Sequence, residues 1–252
     1  MSNKESVFLT AEWRDLLLLN FAVEPALLRT FVPRGTELDS FQGKTYVSLV
    51  GFRFCRMKYL GWIPIPFHSE FEEINLRFYV RRQMGTGIRR GVVFIAEIVP
   101  KPAIAKTARW VYGENYVCRK MEHNLASEGS EKIVSYGWNG AAGWCRLKAG
   151  IEKEPELPLQ GSVEQFITEH YWGYSRQRDG DSLEYQVGHV PWRLWTAIQA
   201  EFAGDASELY GEAFAEVLRR PPDSAFVAEG SQVTVFGGRA LAQTGEEFRA
   251  GI

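Results

Sequence analysis

The sequence predicts a mainly β (α+β) fold, a twisted and largely antiparallel sheet or barrel with a few flanking helices, and three observations predict it. Segments rich in aromatic and β-branched residues recur at short spacing, separated by turn residues. With 8 Trp, 10 Tyr and 16 Phe, the chain is rich in side chains that suit a pleated, half-buried surface. Helical patterns are few and do not alternate with strands, so no βαβ series and no parallel sheet are expected. At 252 residues and 45% hydrophobic, the chain is expected to fold as a single domain, 1–252, with a core over about 8–240 and short flexible termini.

The elements follow in order. Residues 13–22 (WRDLLLLNFA) read as a buried strand. Pro25 opens a short helix, PALLRTF, because proline at the first helical position loses no needed donor. A turn at Gly43 leads into a strand from about Thr45 to Arg53. YLGWIPIPFH is a loop, since Pro64 and Pro66 cannot donate to a ladder. FEEINLRFYV, residues 71–80, is a strand, RRQMGTGIRRG is its hairpin connection, and VVFIAEIV (92–99) returns as an apolar strand. A helix starts at Pro102 and is stopped by Gly113, whose lack of a Cβ suits the left-handed cap. ENYVCRKMEHNL, KIVSYGWN and GWCRLKAG suggest three antiparallel strands. IEKEPELPLQG is a polar surface linker or internal loop. SVEQFITEHY has Ser162 as N-cap with Gln165 at capping-box spacing. SLEYQVGHVPW and AFVAEGSQVTVFGG are further strands, and ASELYGEAFAEVLRR is helical.

The strand at 71–80 raises the functional question. Successive strand side chains point to opposite faces. Its even set, Glu72, Ile74, Leu76, Phe78 and Val80, is mostly apolar and suits a core. Its odd set, Phe71, Glu73, Asn75, Arg77 and Tyr79, is a ladder of a carboxylate, an amide, a guanidinium and a phenol. Such a ladder either faces water or lines a polar cavity.

Other chemistry is poorly supported. A formal net charge of -2 leaves no basic stripe, so no nucleic-acid partner is expected. The apolar run LLLLNF is too short to span a bilayer, and no membrane partner and a cytoplasmic location are expected. Cys55, Cys118 and Cys145 have neither disulfide-framework nor zinc-knuckle spacing. FQGKT lacks the leading glycine of a phosphate loop, Leu38 standing in its place, and GTGIRRG lies between strands instead of opening a helix. The histidines His68, His123, His170 and His189 form no H-E-x-x-H, and G-x-S-x-G is absent. Neither a metal nor a cofactor is expected.

The segments VSLVGFRF, FEEINLRFYV, RRGVVFIAEIV, FITEHYWGYSR and GHVPW together resemble the YqjF-like family of uncharacterised proteins (domain of unknown function 2071), within the acetoacetate decarboxylase-like superfamily. The resemblance covers roughly residues 8–240. It implies a cone-like β-barrel with flanking helices and an interior pocket, with Glu73, Asn75, Arg77 and Tyr79 facing the lumen and the even set packing outward under helices. In the decarboxylases of that superfamily a glutamate on a comparable strand and a Schiff-base lysine after a G-x-P step build the site, and the lysine works only with its pKa depressed. Glu73 matches the glutamate. Aligning Gly113 with the G-x-P step puts Tyr116 where the lysine would be, with Lys120 four residues on and Lys106 on the preceding helix.

The catalytic candidates are therefore Glu73, Tyr116, Lys120 and His189, the last because its pKa lies near neutrality. Asn75, Arg77 and Tyr79 are the ligand-binding candidates, with Arg77 as a bidentate clamp on a carboxylate. His170 reads as a favourable cation at a helix C-terminus. The expected function is a polar lumen binding a small carboxylate or keto-acid-like molecule, with lyase or decarboxylase-like chemistry lacking the usual lysine. The alternatives are a non-catalytic binding or sensing domain and a scaffold that forms a homo-oligomer through its aromatic surface.

Overall fold

A computed structural model describes residues 6–64, 69–85, 87–128, 131–152 and 154–241. Both expected flexible termini, the last residues of the proline-bearing loop and His68 lie outside them. The elements in chain order are β1 (Val7–Val23), α1 (Pro25–Leu28), a 3-10 turn (Arg29–Phe31), β2 (Glu37–Leu38), β3 (Thr45–Tyr59), β4 (Ile63–Pro64), β5 (Phe71–Met84) and β6 (Gly87–Val99). Then come α2 (Pro102–Tyr112), β7 (Tyr116–Cys118), β8 (Met121–Glu128), β9 (Glu131–Gly140) and β10 (Gly143–Ile151). The rest are α3 (Val163–Thr168), β11 (Trp172–Arg176), β12 (Ser182–Gly188), β13 (Leu194–Ala203), α4 (Ser207–Tyr210), α5 (Glu212–Leu218), β14 (Ser224–Phe236) and β15 (Arg239–Ala240).

The described strands belong to one 15-stranded sheet in the order β15-β12-β11-β6-β5-β3-β1-β14-β13-β10-β9-β8, with β2, β4 and β7 pairing off that path. β12 also pairs with β14, Val187 lying opposite Val235. The path β12-β11-β6-β5-β3-β1-β14 thus closes into a ring, and β13, β10, β9 and β8 continue from it as an extension. Pairing is antiparallel except where β6 meets β11 and β7. The expected mainly β fold class is what forms.

Several local expectations hold with changed bounds. β3, β5 and β6 run further toward their hairpin ends than the apolar patterns suggested. Pro102 starts α2, and Gly113 ends it in the left-handed conformation at φ 67°, its N–H bonding back to Arg109. Ser162 caps α3 by accepting from the Gln165 N–H, while the Gln165 side chain accepts from Gly161 instead of the cap residue. ENYVCRKMEHNL is not one strand: β7 pairs parallel with β6, and β8 then pairs with β9. The helix over ASELYGEAFAEVLRR is broken at Gly211 into α4 and α5. β11 and β13 form where the sequence pattern assigned no element. β13 is kinked at Gln199, which has φ 48°, so its alternation is interrupted.

The ring separates two apolar regions. Ile74, Leu76, Phe78 and Val80 of β5 point outward and pack with Tyr136 and Trp138 of β9, Leu147 of β10 and Phe214 of α5. The even set is thus covered by strands of the extension as much as by helices. Inside the ring, Leu16 and Leu18, Val50, Phe52 and Phe54, Phe71 and Tyr79 form a second cluster, with Ala105 of α2 and Phe166 and Ile167 of α3 against it. This inner region is only partly filled.

Candidate functional site

The ring holds a cavity of about 400 Å³, closed on one side by α2 and lined mainly by apolar side chains. Its polar wall begins on β5. Glu73, Asn75 and Arg77 are 3%, 3% and 8% exposed, and all three line the cavity. Tyr79, 1% exposed, continues the row but is absorbed into the wall, its hydroxyl 2.5 Å from Ser48 Oγ, which in turn donates to Asn20 Oδ1.

A bulge decides what faces this row. Asn75 pairs with Glu97 and Leu76 with Ala96, but Arg77 pairs with Phe94, so Ile95 is an extra residue on β6. The bulge puts Glu97, Phe94 and Val92 on the cavity side together, where strict alternation would turn Phe94 and Val92 away. Glu97, 1% exposed, joins the wall from VVFIAEIV, which the sequence pattern assigns to an apolar strand. A charged residue inside that run was the signal, and the shifted register hid its face.

The chain reversal at Gly113 brings two more groups inward. Glu114 is 8% exposed, and the parallel register of β7 sets Tyr116 beside Glu97. The Tyr116 hydroxyl donates to Glu73 Oε2 at 3.3 Å, and Asn75 Nδ2 approaches Glu73 Oε1 at 3.4 Å. The Tyr185 hydroxyl donates to Glu114 Oε1 at 2.5 Å. Tyr185 reaches that far because its ring lies over Gly173, where an added Cβ would sit 2.1 Å from a ring carbon. Glu97 Oε2 has no hydrogen-bond partner among the described residues, and Glu97, Glu114 and Glu73 act on one another's titration, so the three carboxyls form one cluster with two phenols.

Burial sets the protonation of this cluster. Glu73 is pushed up to about 8, chiefly by burial, against the lowering hydrogen bond from Asn75 and with a further push from Glu114. Burial raises Glu114 to about 7 against the hydrogen bond from Tyr185, and raises Glu97 well above the usual carboxylate range, with both neighbouring glutamates adding to the effect. Burial also holds Tyr116 well above an ordinary phenol. Near neutral pH the cluster is therefore rich in transferable protons.

Arg77 and His170 make the other polar end. Arg77 Nη2 donates to the Ile167 carbonyl at 3.2 Å, its Nε has no partner, and no ion pair joins it to a carboxylate among the described residues. His170 is 8% exposed, packs tilted against Tyr79 and edge-on against Phe166, and has no hydrogen-bonded partner on either ring nitrogen. Burial, then the Arg77 charge, holds it well below the usual imidazole range, so it is neutral and not the helix-end cation the sequence suggested.

The remaining candidates lie elsewhere. Lys120 is exposed, with Nζ 6.0 Å from the Trp144 ring, and among the described residues no lysine lines the cavity. Lys106 is exposed on α2. His189 is outside the lining, its ring stacked on Trp192 at 4.2 Å and tilted against Tyr171 at 4.8 Å, with Nδ1 2.8 Å from the Val190 carbonyl. Among the described residues no three His, Cys, Asp or Glu side chains converge on a metal-binding arrangement, and no helix is long and apolar enough to cross a membrane.

Residues 10–232 match the model of a family described as an uncharacterized conserved protein, DUF2071. The uncharacterized protein YqjF of Bacillus subtilis (strain 168) is 24% identical over 186 residues, covering 73% of this chain and 74% of that protein. Among solved structures, acetoacetate decarboxylase from Legionella pneumophila superposes with TM-score 0.66 at 14% identity, covering 93% of this chain and 87% of that one. The enduracididine biosynthesis enzyme MppR complexed with pyruvate gives TM-score 0.68 at 13% identity over 95% of this chain and 92% of its own. An acetoacetate decarboxylase-like enzyme from Sphingomonas wittichii RW1 gives 0.65 at 14%, covering 92% of each chain. At these identities the likeness is one of fold: the acetoacetate decarboxylase-like fold.

Proposed function

The chain belongs to the DUF2071 family, and from that premise we propose that its cavity binds a small carboxylic or keto acid and performs acid–base chemistry beside the acid's carbonyl without a Schiff-base lysine. The observation that carries this reading is Arg77: a guanidinium 8% exposed, on the wall of a cavity, with no carboxylate partner among the described residues. Burying an unpaired charge is costly, and a ligand carboxylate offsets that cost through a charge-assisted bidentate contact. The pyruvate held by a structural relative supports the same class of ligand.

In this reading Arg77 holds the carboxylate and neutral His170 donates a second hydrogen bond. Asn75 and the Tyr116 hydroxyl orient the carbonyl. Glu73, protonated near neutral pH, gives a proton to the carbonyl oxygen, and the Glu97–Glu114 pair takes one from or returns one to the adjacent carbon. Such steps serve a lyase, hydratase or decarboxylase-like reaction. A non-catalytic binding or sensing domain is the second reading, favoured by the absence of lysine from the described cavity wall.

Calorimetry with pyruvate, 2-oxobutanoate and acetoacetate, set against uncharged ketones, tests the binding. The acids are expected to bind and the ketones not, and Arg77→Met is expected to weaken acid binding at least tenfold while the variant stays folded. Equal binding of acids and ketones, or an unchanged affinity in Arg77→Met, would sink the clamp. Proton NMR of the bound acids in D2O separates the two readings: exchange at the carbon next to the carbonyl, lost in Glu97→Gln, marks an enzyme.

A further inference from the structure

We propose that the acid taken by this site carries an aromatic body, seated against Trp13, Phe52, Phe54 and Phe71; the proposal rests on Arg77 holding the carboxylate. The inner face of β5 runs Arg77, Asn75, Glu73, Phe71, from cation to aromatic ring, and across the pairing with β3 Phe52 lies opposite Glu73 and Phe54 opposite Phe71. One end of the wall is thus built for an anion, the middle for a carbonyl, and the far end for a ring. From Arg77 to Phe71 the strand covers about 20 Å at ~3.3 Å per residue.

The far end is an aromatic set. Trp13 stands 5.3 Å from Phe52 and 5.8 Å from Phe54, Phe52 is 5.4 Å from Phe54, and Phe54 stacks on Phe71 at 4.7 Å. All four line the cavity. Ring faces and edges held in this way attract another ring beyond what burial of area supplies. Size argues in the same direction. Even at the roughly 30 Å³ per heavy atom that water takes in the liquid, a three-carbon keto acid of six heavy atoms fills less than half of a cavity of about 400 Å³. The mouth extends the apolar path: Tyr59 and Trp110 line it and are 42% and 86% exposed. A ligand with a carboxylate, a carbonyl and an aryl group satisfies the three parts of the wall in sequence.

The test is calorimetry with four 2-oxo acids sharing one head: pyruvate, 2-oxooctanoate, phenylpyruvate and 2-oxo-4-phenylbutanoate. At least one aryl acid is expected to bind tenfold or more tighter than pyruvate and several-fold tighter than 2-oxooctanoate. Phe54→Leu, which keeps an apolar side chain and removes the ring, is expected to lower the aryl-to-pyruvate affinity ratio several-fold. Pyruvate matching the aryl acids, 2-oxooctanoate matching them, or a ratio unmoved in Phe54→Leu overturns the aromatic body and leaves the Arg77 clamp standing. No binding of any of the four by the folded parent protein takes down the clamp and this inference together.

Discussion

Two sets of buried glutamates in this protein are treated in opposite ways. Glu184 on β12 is fully buried and surrounded by arginine: Arg89 at 2.6 Å, Arg239 at 2.7 Å and Arg82 at 3.2 Å, with the Tyr174 hydroxyl at 2.9 Å. Burial opposes its ionisation, but the Arg239 and Tyr174 hydrogen bonds and the Arg89 charge outweigh it and hold the carboxyl below its ordinary range. Glu73, Glu97 and Glu114 are buried as deeply, receive phenol and amide donors instead, and titrate upward. Arg77, on the same strand as Glu73, has no carboxylate partner among the described residues. The chain pairs a buried carboxylate with arginines on the outer side of the ring, and leaves the cavity carboxyls to phenol and amide donors. Unpaired burial in the cavity is a stability cost that structure alone does not require.

The comparison can be broken most sharply at Glu184. Glu184→Ala leaves three arginines crowded without their shared anion, and a loss of about 3–5 kcal/mol in urea unfolding is expected, as for other severed buried pairs. Glu97→Gln, which swaps a neutral acid for an amide of the same shape, is expected to change stability by less than about 1 kcal/mol. Equal losses in the two variants would erase the distinction.

Protonation acts with opposite sign in the two regions. Glu73 and Glu114 hold their protons more tightly in the folded chain than at the ordinary value of 4.5, at about 8 and about 7. The unfolded chain therefore binds fewer protons between these limits, and stability falls as pH rises through the window from about 4.5 to 8. Each such carboxyl adds a slope of up to about 1.4 kcal/mol per pH unit. Glu184, with its lowered value, does the reverse: its contribution is present above 4.5 and is lost as the solution is acidified. Unfolding followed from pH 5 to 8 is expected to show the parent losing stability relative to Glu73→Gln, a difference from which the opposite contribution of buried, neutral His170 cancels. A difference that stays constant or reverses would mean that Glu73 is ionised. The smallest effect is reserved for Lys120→Met, outside both regions, which is expected to leave keto-acid affinity within twofold. Borohydride reduction in the presence of pyruvate is expected to add no mass to the parent protein, and an adduct that vanishes in Lys120→Met would restore a lysine route.

How much of this was legible in the sequence follows from what each residue depends on. Glu73, Asn75 and Arg77 could be read because β5 alternates without interruption, so the period of two names a face. The caps at Gly113 and Ser162 are local chemistry and appear at their expected places. Glu97 escaped because the β6 register shifts at Ile95, a change set by pairing with β5 and absent from the apolar pattern itself. Glu114 escaped because its inward turn depends on β7 lying parallel to β6, which no local signal encodes. Tyr79, a ligand-binding candidate from its face, lies on that face but off the open surface, because Ser48 occupies its hydroxyl. Lys120 and His189 were chosen for their chemistry alone, and their neighbours Trp144 and Trp192 decide where they sit.

The closure of the ring also bears on the order in which the molecule can be made. Val7, at the start of β1, pairs with Phe236 at the end of β14, and β14 is the strand that also joins β12 and β13. A chain emerging from the ribosome at roughly 5–20 residues per second has β3, β5 and β6 in hand early, yet β1 lacks its second neighbour until β14 arrives. Contacts of such long sequence separation make folding slow, and until they form the aromatic inner wall has no interior to line. The enclosed cavity is thus among the last things the growing chain acquires, and a truncation within β14 opens the ring that encloses it.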